Sequence, residues 1–517
     1  MALDNQQVLV EIAEQPEVPV QSVSAKGPAK LREINREQMM MAQIVVDELI
    51  GPDHKARAIW DLAGRMNLSG FAELLKTRKG EVGRAAWDPR LLVSIWVYAY
   101  SEGISSAREI ERLMQWEPGL QWLAGLESVN HHTLSDFRVE HGKALDDLFT
   151  QLLAMLQKSG MLSLERVMHD GTKIRAQAGN GTFRREKTLR EHLAEARRVV
   201  QSMGDPKAET GKRHRREAAR ERAEREREQR LDESVQEWEK LARGQSEKQK
   251  EQLRVSETEP EARRMKHGDA AIAPSYNAQL TTSADNKIIV NACLTQCSSD
   301  AQSLMPSMEQ VQERMEQTPA QVVVDGAYTN RDNIRACAEK KIDLVGSLPD
   351  PQERSAAAMK SVGIDPAFAP HHFKILEPGK RIQCPAECVL TYVRQSQKRE
   401  DTYHQFQARG EDCTACPYQR QCCPRNPAQG RTVSIRVSEQ SDVAAFRSKM
   451  KEPAMQAIYK QRGPVAEFPH AWIKEKLGLR KFRVRGMLKA GSELLWACLT
   501  YNIMQFLRLS RPVSSAA

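Results

Sequence analysis

Hydrophobic residues recur at helical spacing over the first part of the chain. Between about residues 36 and 75 the apolar positions follow a period near 3.6, which predicts amphipathic helix. A new helix is expected to begin at Asp88-Pro89, because Asp is a good cap and Pro is tolerated in the first turn, and to end at Gly103. A further helix begins near Thr133, and one over residues 145–162 completes the pattern.

These helices predict an N-terminal helical domain over residues 31–160, preceded by a flexible polar tail over residues 1–30. Short helices joined by tight turns are typical of helix-turn-helix proteins that read DNA. The third helix carries the polar residues Ser135, Arg138 and His141, which such a reader could use. A plain helical bundle explains the same pattern equally well, and both interpretations stay open.

Two short β-branched runs each lead into an aspartate that is followed by glycine. The pattern predicts strands that present Asp170 and Asp325 at their C-terminal ends. An Asp-Gly pair after a strand is often only a turn, and for either copy alone the turn is the better interpretation. The duplication, together with a third acid nearer the C-terminus, favours carboxylates that share one site for two metal ions.

The β pattern resumes after a highly charged stretch. Residues 275–283 and 287–296 form a predicted hairpin, and a helix over residues 300–316 precedes the strand that leads to Asp325. Residues 342–348 are a further predicted strand. The expected fold class is therefore α/β, with a mixed sheet as its core.

Residues 184–255, named here the charged arm, lie between the first strand and the hairpin. Arg, Lys and Glu alternate densely there, and a thin apolar seam follows two predicted helices, 186–203 and 208–255. We predict an antiparallel helical hairpin with its hinge at 204–206. The simpler interpretation is a solvated arm that is held together by ion pairs. The more specific interpretation is a dimerising coiled coil or an arm that contacts the DNA backbone.

Six of the ten cysteines fall within residues 350–435, named here the Cys-rich segment. Cys413-x2-Cys416 followed by Cys422 has the spacing of a zinc knuckle, and Cys384 or Cys388 could complete a tetrahedral set. The resulting prediction is a structural Zn²⁺ on Cys384, Cys413, Cys416 and Cys422. A redox pair and simple buried thiols are the alternatives.

The last part of the chain returns to helical spacing, with helix over most of residues 441–461 and a buried helix over residues 488–507. A helix that begins near Pro464 would place Glu467 in its first turns and Lys474 two turns later on the same face. A basic loop lies between these helices. Its cationic side chains are Arg480, Lys481, Arg483 and Arg485.

Composition narrows the class of partner. The chain has 517 residues, 40% of them hydrophobic, and a net charge of +9 at pH 7. A basic excess fits a polyanion, nucleic acid first and an anionic membrane second. Since no apolar run approaches the roughly 20 residues of a membrane helix and no signal peptide is recognisable, we expect a cytoplasmic protein.

Three motifs together resemble the DDE transposases of bacterial insertion sequences, and in particular the insertion sequence 1182 group. They are His-Asp170-Gly-Thr-Lys, Val-Val-Val-Asp325-Gly-Ala-Tyr, and Glu467-x6-Lys474 followed by Gly-x-Arg-x-Phe-x-x-Arg-Gly. The N-terminal helical block, the charged arm and the Cys-rich segment are similar to stretches of that group as well.

The resemblance implies an RNase H-like catalytic core over residues 161–183, 256–349 and 436–510, into which the charged arm and the Cys-rich segment are inserted. It implies that Asp170, Asp325 and Glu467 bind two Mg²⁺ or Mn²⁺ ions. The residues implied to contact DNA are Tyr459, Arg462, Lys474, Arg480, Lys481, Arg483 and Arg485. Glu475 and Glu493 are rival positions for the third acid.

The implied function is metal-dependent cleavage at insertion-sequence ends, followed by transfer of the freed 3′-hydroxyl to target DNA. The implied partner is double-stranded DNA, both as terminal inverted repeats and as target. The resemblance implies a homodimer on this DNA at the nucleoid, with no membrane as partner. A nuclease without strand transfer and a catalytically inactive DNA-binding protein are the two alternatives.

Overall fold

The computed structural model of the protein describes residues 39, 43–73, 85–203, 212–348, 351–398, 401–438 and 441–510. The tail predicted over residues 1–30 and the hinge predicted at 204–206 lie outside these residues. Contacts divide the chain into two units, Met1–Val45 and Val46–Ala517, and every element described below belongs to the second unit.

The N-terminal part of this unit is helical, as its spacing predicts, but the long stretch expected over residues 36–75 is broken into a 3-10 turn and two helices. Asp88 caps the third helix as predicted, because its side chain accepts a hydrogen bond from the backbone of Arg90. The helices are α1 (Lys55–Arg65), α2 (Ser69–Glu73), α3 (Pro89–Ser101), α4 (Ala107–Leu113), α5 (Pro118–Ala124), α6 (His131–Glu140) and α7 (Gly142–Lys158).

Several side chains of the N-terminal helices are buried and not available to DNA. α3 is buried from Leu91 to Tyr100. Arg138 and His141 are also buried, at 4% and 9% exposure. These two candidates for base contact are therefore excluded in this arrangement, because their side chains pack into the core.

The core is a mixed six-stranded sheet in which β6, β5, β1, β7 and β8 lie side by side and β4 pairs with the other end of β5. β5 is antiparallel to β1 and β6, whereas β7 is parallel to β1 and β8. The strands up to this point, including the separate pair β2–β3, are β1 (Arg166–Arg175), β2 (Phe183–Arg184), β3 (Val255–Ser256), β4 (Arg263–Lys266), β5 (Ile272–Ser283), β6 (Ile289–Thr295), β7 (Gln321–Val324) and β8 (Asp343–Gly346).

The prediction that Asp170 ends its strand is wrong. β1 continues to Arg175, because β5 pairs with it along the whole length, from Val167 with Ser283 to Arg175 with Ser275. Asp325 does stand where the sequence predicts, immediately after β7. One acid thus projects from mid-strand and the other from a strand end.

The charged arm is a helical hairpin. Ion pairs join Arg190 to Glu239 at 2.8 Å and Arg197 to Asp232 at 2.7 Å, so the two long helices run antiparallel. A small core that includes Leu193 lies between them. The helices are α8 (Glu186–Ser202), α9 (Lys212–Ala242) and α10 (Glu247–Gln252).

The Cys-rich segment holds a five-stranded antiparallel sheet that the sequence pattern does not predict. Its core is small and includes Phe373, Leu390 and Phe406. Helices α11 (Leu304–Met315), α12 (Arg331–Glu339) and α13 (Pro351–Ser361) precede this sheet. Its elements are β9 (Lys374–Glu377), β10 (Arg381–Gln383), β11 (Val389–Lys398), β12 (Asp401–Gln407), α14 (Gly410–Thr414), α15 (Gln419–Cys422) and β13 (Thr432–Ser438).

The C-terminal helices return to the core. A π-helical turn over Gly463–Glu467 joins α17 to α18, where the sequence predicts one helix from Pro464 onward. The amide of Asn502 on the last helix bonds the backbone of Ile289 on β6, at 2.9 and 2.8 Å. The helices are α16 (Ser441–Lys449), α17 (Pro453–Lys460), α18 (Phe468–Glu475) and α19 (Met487–Leu509). Within the part of the chain that the structure describes, no helix is long and apolar enough to cross a membrane.

Candidate active site

Arg462 joins two of the three predicted acids. Its Nη1 lies 3.5 Å from Oδ2 of Asp170, and its Nη2 lies 3.5 Å from Oε1 of Glu467. The π-helical turn brings this about, because Arg462 precedes the turn and Glu467 ends it. Two acids that are almost 300 positions apart in the sequence thus lie on either side of one guanidinium.

Burial dominates the electrostatics of Asp170 and raises the pKa of its carboxyl to about 6. The positive charge of Arg462 opposes that rise, and the negative charges of Asp325 and Asp300 add to it. The carboxyl therefore lies in a desolvated, acidic environment in which its charged form needs a cation. Perturbation of this kind is characteristic of functional sites.

Asp325 lies beside Asp170 because of the strand register. β1 and β7 are parallel, with Met168 opposite Val323, so each acid follows this pair by two residues. Oδ1 of Asp325 also accepts hydrogen bonds from the backbone of Ala327 at 2.8 Å and of Tyr328 at 3.4 Å. The turn that the Asp-Gly pair predicts is therefore present, and it leaves the other carboxylate oxygen outside these bonds.

A buried polar network that the sequence does not reveal lies under Asp170. Gln279 accepts hydrogen bonds from Tyr328 Oη at 2.6 Å and from His169 Nε2 at 3.1 Å. Its amide donates to Oδ1 of Asp300 at 2.9 Å, where Asn277 also donates at 2.7 Å. Burial lowers the pKa of His169 to about 4, so the ring is neutral and can donate from Nε2 only.

This network explains the glycine after Asp170. A Cβ at Gly171 would lie 2.5 Å from Gln279 Nε2, 2.6 Å from Asp300 Oδ1 and 2.8 Å from Tyr328 Oη. The polar groups close over the backbone at this point, so no side chain fits. The only sequence signals for Asp300 and Gln279 are polar residue types next to predicted strands, which are too common to single them out.

Lys474 is a second basic residue near the acids, and it contacts β1 next to Asp170. Its Nζ donates to the hydroxyl of Thr172, two residues after Asp170 on the same face of β1. Burial lowers the pKa of Lys474, and the negative charge of Asp170 opposes this shift. Tyr459, on α17 and three residues before Arg462, lines a cavity with Arg447 and Lys451.

The four cationic side chains of the basic loop lie in different environments. Arg480 and Lys481 run beside the end of β1, where the backbone of Arg175 donates to that of Arg480 at 3.2 Å. Arg483 reaches Ser105 of the N-terminal helices at 3.4 Å. Arg485 lines a cavity of about 990 Å³ beside α9.

The two rival acids have other partners. Glu475 is exposed and forms an ion pair with Arg480. Glu493 is fully buried on α19, where it forms an ion pair with Arg138 of α6 at 3.4 Å and accepts a hydrogen bond from the backbone of Arg483 at 2.8 Å. Glu493 therefore ties the N-terminal helices to the C-terminal helix.

The cysteines of the Cys-rich segment share one cavity, lined by Cys384, Cys388, Cys413, Cys416, Cys422 and Cys423. The backbone of Arg431 donates to Sγ of Cys413 at 3.3 Å. Burial is the main cause that raises the pKa of Cys422 to about 11, and neighbouring thiols add to the rise. Within the described ranges, no three His, Cys, Asp or Glu side chains are already arranged to hold a metal ion, either here or at the acids.

Comparison with known proteins adds two family matches. Residues 44–140 match a family described as a transposase domain, and residues 383–507 match one described as a transposase DDE domain. One similar solved structure is a piggyBac transposase synaptic complex with hairpin DNA, with 9% identity over 89% of this chain and 83% of that chain and a TM-score of 0.27. That score is too low to carry an argument, and no curated protein matches. The chain is therefore similar to transposase domains in two separate segments, one on the N-terminal helices and one that carries Glu467.

Proposed function

We propose that the protein cleaves phosphodiester bonds at the ends of an insertion sequence of the 1182 group and transfers the freed 3′-hydroxyl to target DNA. The observation that carries this proposal is the position of Arg462 between Asp170 and Glu467, beside Asp325. A cation bridging two acids from distant parts of the chain marks a site built for positive charge.

The three acids suit divalent magnesium or manganese. The guanidinium of Arg462 stands in for a metal cation, and carboxylate oxygens are the ligands that Mg²⁺ prefers. Asp170, Asp325 and Glu467 would hold two ions once Arg462 turns aside. When bound, such ions lower the pKa of an attacking water or 3′-hydroxyl and stabilise the leaving oxygen.

The chain's own side chains would position the DNA. Lys474 bonds Thr172, which lies two residues after Asp170 on the same face of β1, so it would hold a backbone phosphate next to the cleaved bond. Arg462 would exchange its carboxylate partners for a phosphate, with Tyr459 beside it. Arg480, Lys481, Arg483 and Arg485 would add phosphate contacts, which give affinity that falls steeply with salt.

The strand arrangement supports an RNase H-like core. β5 and β6 are antiparallel neighbours on one side of β1, and β7 and β8 are parallel neighbours on the other. The charged arm and the Cys-rich segment are then insertions into this core. We propose a homodimer on double-stranded DNA at the nucleoid, in which the N-terminal helices contribute to binding of the terminal repeats.

We also propose a structural Zn²⁺ on Cys384, Cys413, Cys416 and Cys422. Six thiols around one cavity, in a segment whose apolar core is small, support a metal that stabilises the fold. The purified protein should contain about one zinc per chain by elemental analysis. Cys413→Ser should lose it, whereas Cys297→Ser, a cysteine outside this cavity, should keep it; equal zinc in both variants would refute the assignment.

The test of the main proposal is a nicking assay on DNA that carries the element's ends. The wild-type protein should cut in the presence of Mg²⁺, and Asp170→Asn should not. Asp269→Asn is the matched control, because Asp269 is exposed and its side chain contacts Arg175 at 3.5 Å and the backbone of Ala271 at 3.1 Å, away from the acids. Cleavage by Asp170→Asn would refute the assignment of the active site. A wild-type protein that cuts DNA but does not join pre-cleaved ends to a target would be a nuclease without strand transfer.

A further inference from the structure

Two adjoining cavities form a groove between the core and the Cys-rich segment. The first has a volume of about 490 Å³ and the second about 520 Å³. They share Leu348, Gln352 and Arg447, so one continues into the other. The groove thus runs from the end of β8, past α16, to β12 and β13.

The groove begins beside the acids. Gly346 and Ser347 line its first part, and Gly346 pairs with Val324, the residue before Asp325. Tyr459 lines the same part and lies one helical turn before Arg462. A chain of nucleotides that leaves the acid site in this direction would therefore enter the groove directly.

The chemistry of the lining suits a polyanion. Arg447, Lys451, Arg436 and His371 line the groove, and among the described residues along it there is no carboxylate. By contrast, the cavity beside α9 is lined by several glutamates, including Glu226, Glu233 and Glu237. The positive lining is thus a property of this groove and not of every cleft in a basic protein.

Aromatic rings accompany the positive charges. Tyr459 lies in the first cavity and Tyr403 in the second. Tyr403 stands directly opposite Arg436 across the β12–β13 pair, so a ring and a guanidinium are neighbours on one wall. A basic groove with rings on which bases can stack is the usual form of a site for single-stranded nucleic acid.

The far wall is anchored to the core. Asp401 of β12, which is 3% exposed, forms an ion pair with Arg331 of α12 and lies 3.9 Å from Arg436. One carboxylate therefore contacts two guanidinium groups, one on the core and one on the wall. The wall is held in place, so the groove exists before any ligand enters.

We propose that this groove binds a single strand of DNA that leads away from the acid site. The inference rests on the proposed function for its choice of DNA, and it deepens that function by naming the path of the strand. The Cys-rich segment then forms one wall of a substrate channel.

Binding of a labelled single-stranded oligonucleotide, followed by fluorescence anisotropy without added Mg²⁺ so that no cleavage occurs, tests this proposal. Tyr403→Ala should weaken binding about tenfold through lost stacking, whereas Tyr403→Phe should bind like wild type. Arg436→Gln should weaken binding and reduce the slope of log affinity against log salt by about 0.7. A matched pair on the same sheet but outside the groove, Tyr392→Ala and Arg381→Gln, should stay within twofold of wild type.

Two results would refute the proposal that the groove binds single-stranded DNA. The first is unchanged single-strand binding by Tyr403→Ala and Arg436→Gln in protein whose circular dichroism and melting match wild type. The second is an equal loss of double-stranded DNA binding in the same two variants, which would mean that the groove binds duplex DNA instead. Failure of the proposed function is a separate outcome, because it would appear as absence of Mg²⁺-dependent nicking by the wild-type protein.

Discussion

The Nη1 atom of Arg462 lies 3.5 Å from Oδ2 of Asp170, and the same guanidinium reaches Glu467. Under the proposed function, a divalent cation would take the position between these two acids that the guanidinium occupies. The positive charge of Arg462 would then compete with that cation.

Removal of this guanidinium should change metal binding before any DNA is present. In Arg462→Gln the acids lose a competing cation, so we expect Mn²⁺ to bind about tenfold more tightly at pH 8, measured by electron paramagnetic resonance. Arg462→Lys keeps the positive charge and should bind Mn²⁺ like wild type. Weaker or unchanged binding in Arg462→Gln would contradict the competition.

Stability should depend on pH through Asp170. Burial raises the pKa of this carboxyl from 3.8 to about 6 in the folded protein, so its neutral form favours folding and its ionisation opposes it. The stabilisation is complete below pH 3.8 and is lost as pH rises through about 6. Asp170→Asn should therefore be more stable than wild type at pH 8, by about 1–3 kcal/mol.

Urea unfolding without added Mg²⁺ across pH 4 to 8 measures this difference. The advantage of Asp170→Asn should shrink toward zero at the acid end. Asp269→Asn, whose side chain is 61% exposed, should show no such trend. A constant difference between Asp170→Asn and wild type at every pH would refute the assignment of the shifted pKa to this carboxyl.

A methyl group at Gly171 should disturb the network under the acids. In Gly171→Ala the new Cβ would meet Gln279, Asp300 and Tyr328 at less than 3.0 Å, and such overpacking costs about 1–3 kcal/mol. Urea unfolding should show this loss, and nicking activity should fall with it. Gly179→Ala, where nothing lies within 4 Å of the new methyl, should behave like wild type.

The buried pair of Arg138 and Glu493 should contribute to stability and not to catalysis. Glu493→Ala leaves an unpaired guanidinium that is 4% exposed, which should destabilise the protein by about 3–5 kcal/mol in urea unfolding. The double variant Arg138→Met with Glu493→Leu should recover most of that loss. Normal stability of Glu493→Ala with abolished nicking would instead make Glu493 a catalytic acid.

Local signals in the sequence predicted several elements closely. Asp88 caps α3 as expected, since capping depends on neighbouring residues only. Asp325 follows its strand because a β-branched run and the Asp-Gly pair specify a strand and a turn without help from elsewhere. The resemblance to DDE transposases agrees with the two family matches on separate parts of the chain.

Other features depended on contacts between distant residues. The length of β1 beyond Asp170 comes from pairing with β5, about 100 positions later, and the burial of Arg138 comes from Glu493 on the last helix. The sequence by itself determined the acids, the helices and the turns, because these follow from residue type and local spacing. Only the tertiary structure decided that Arg462 lies between Asp170 and Glu467, because strand register and a π-helical turn set that distance.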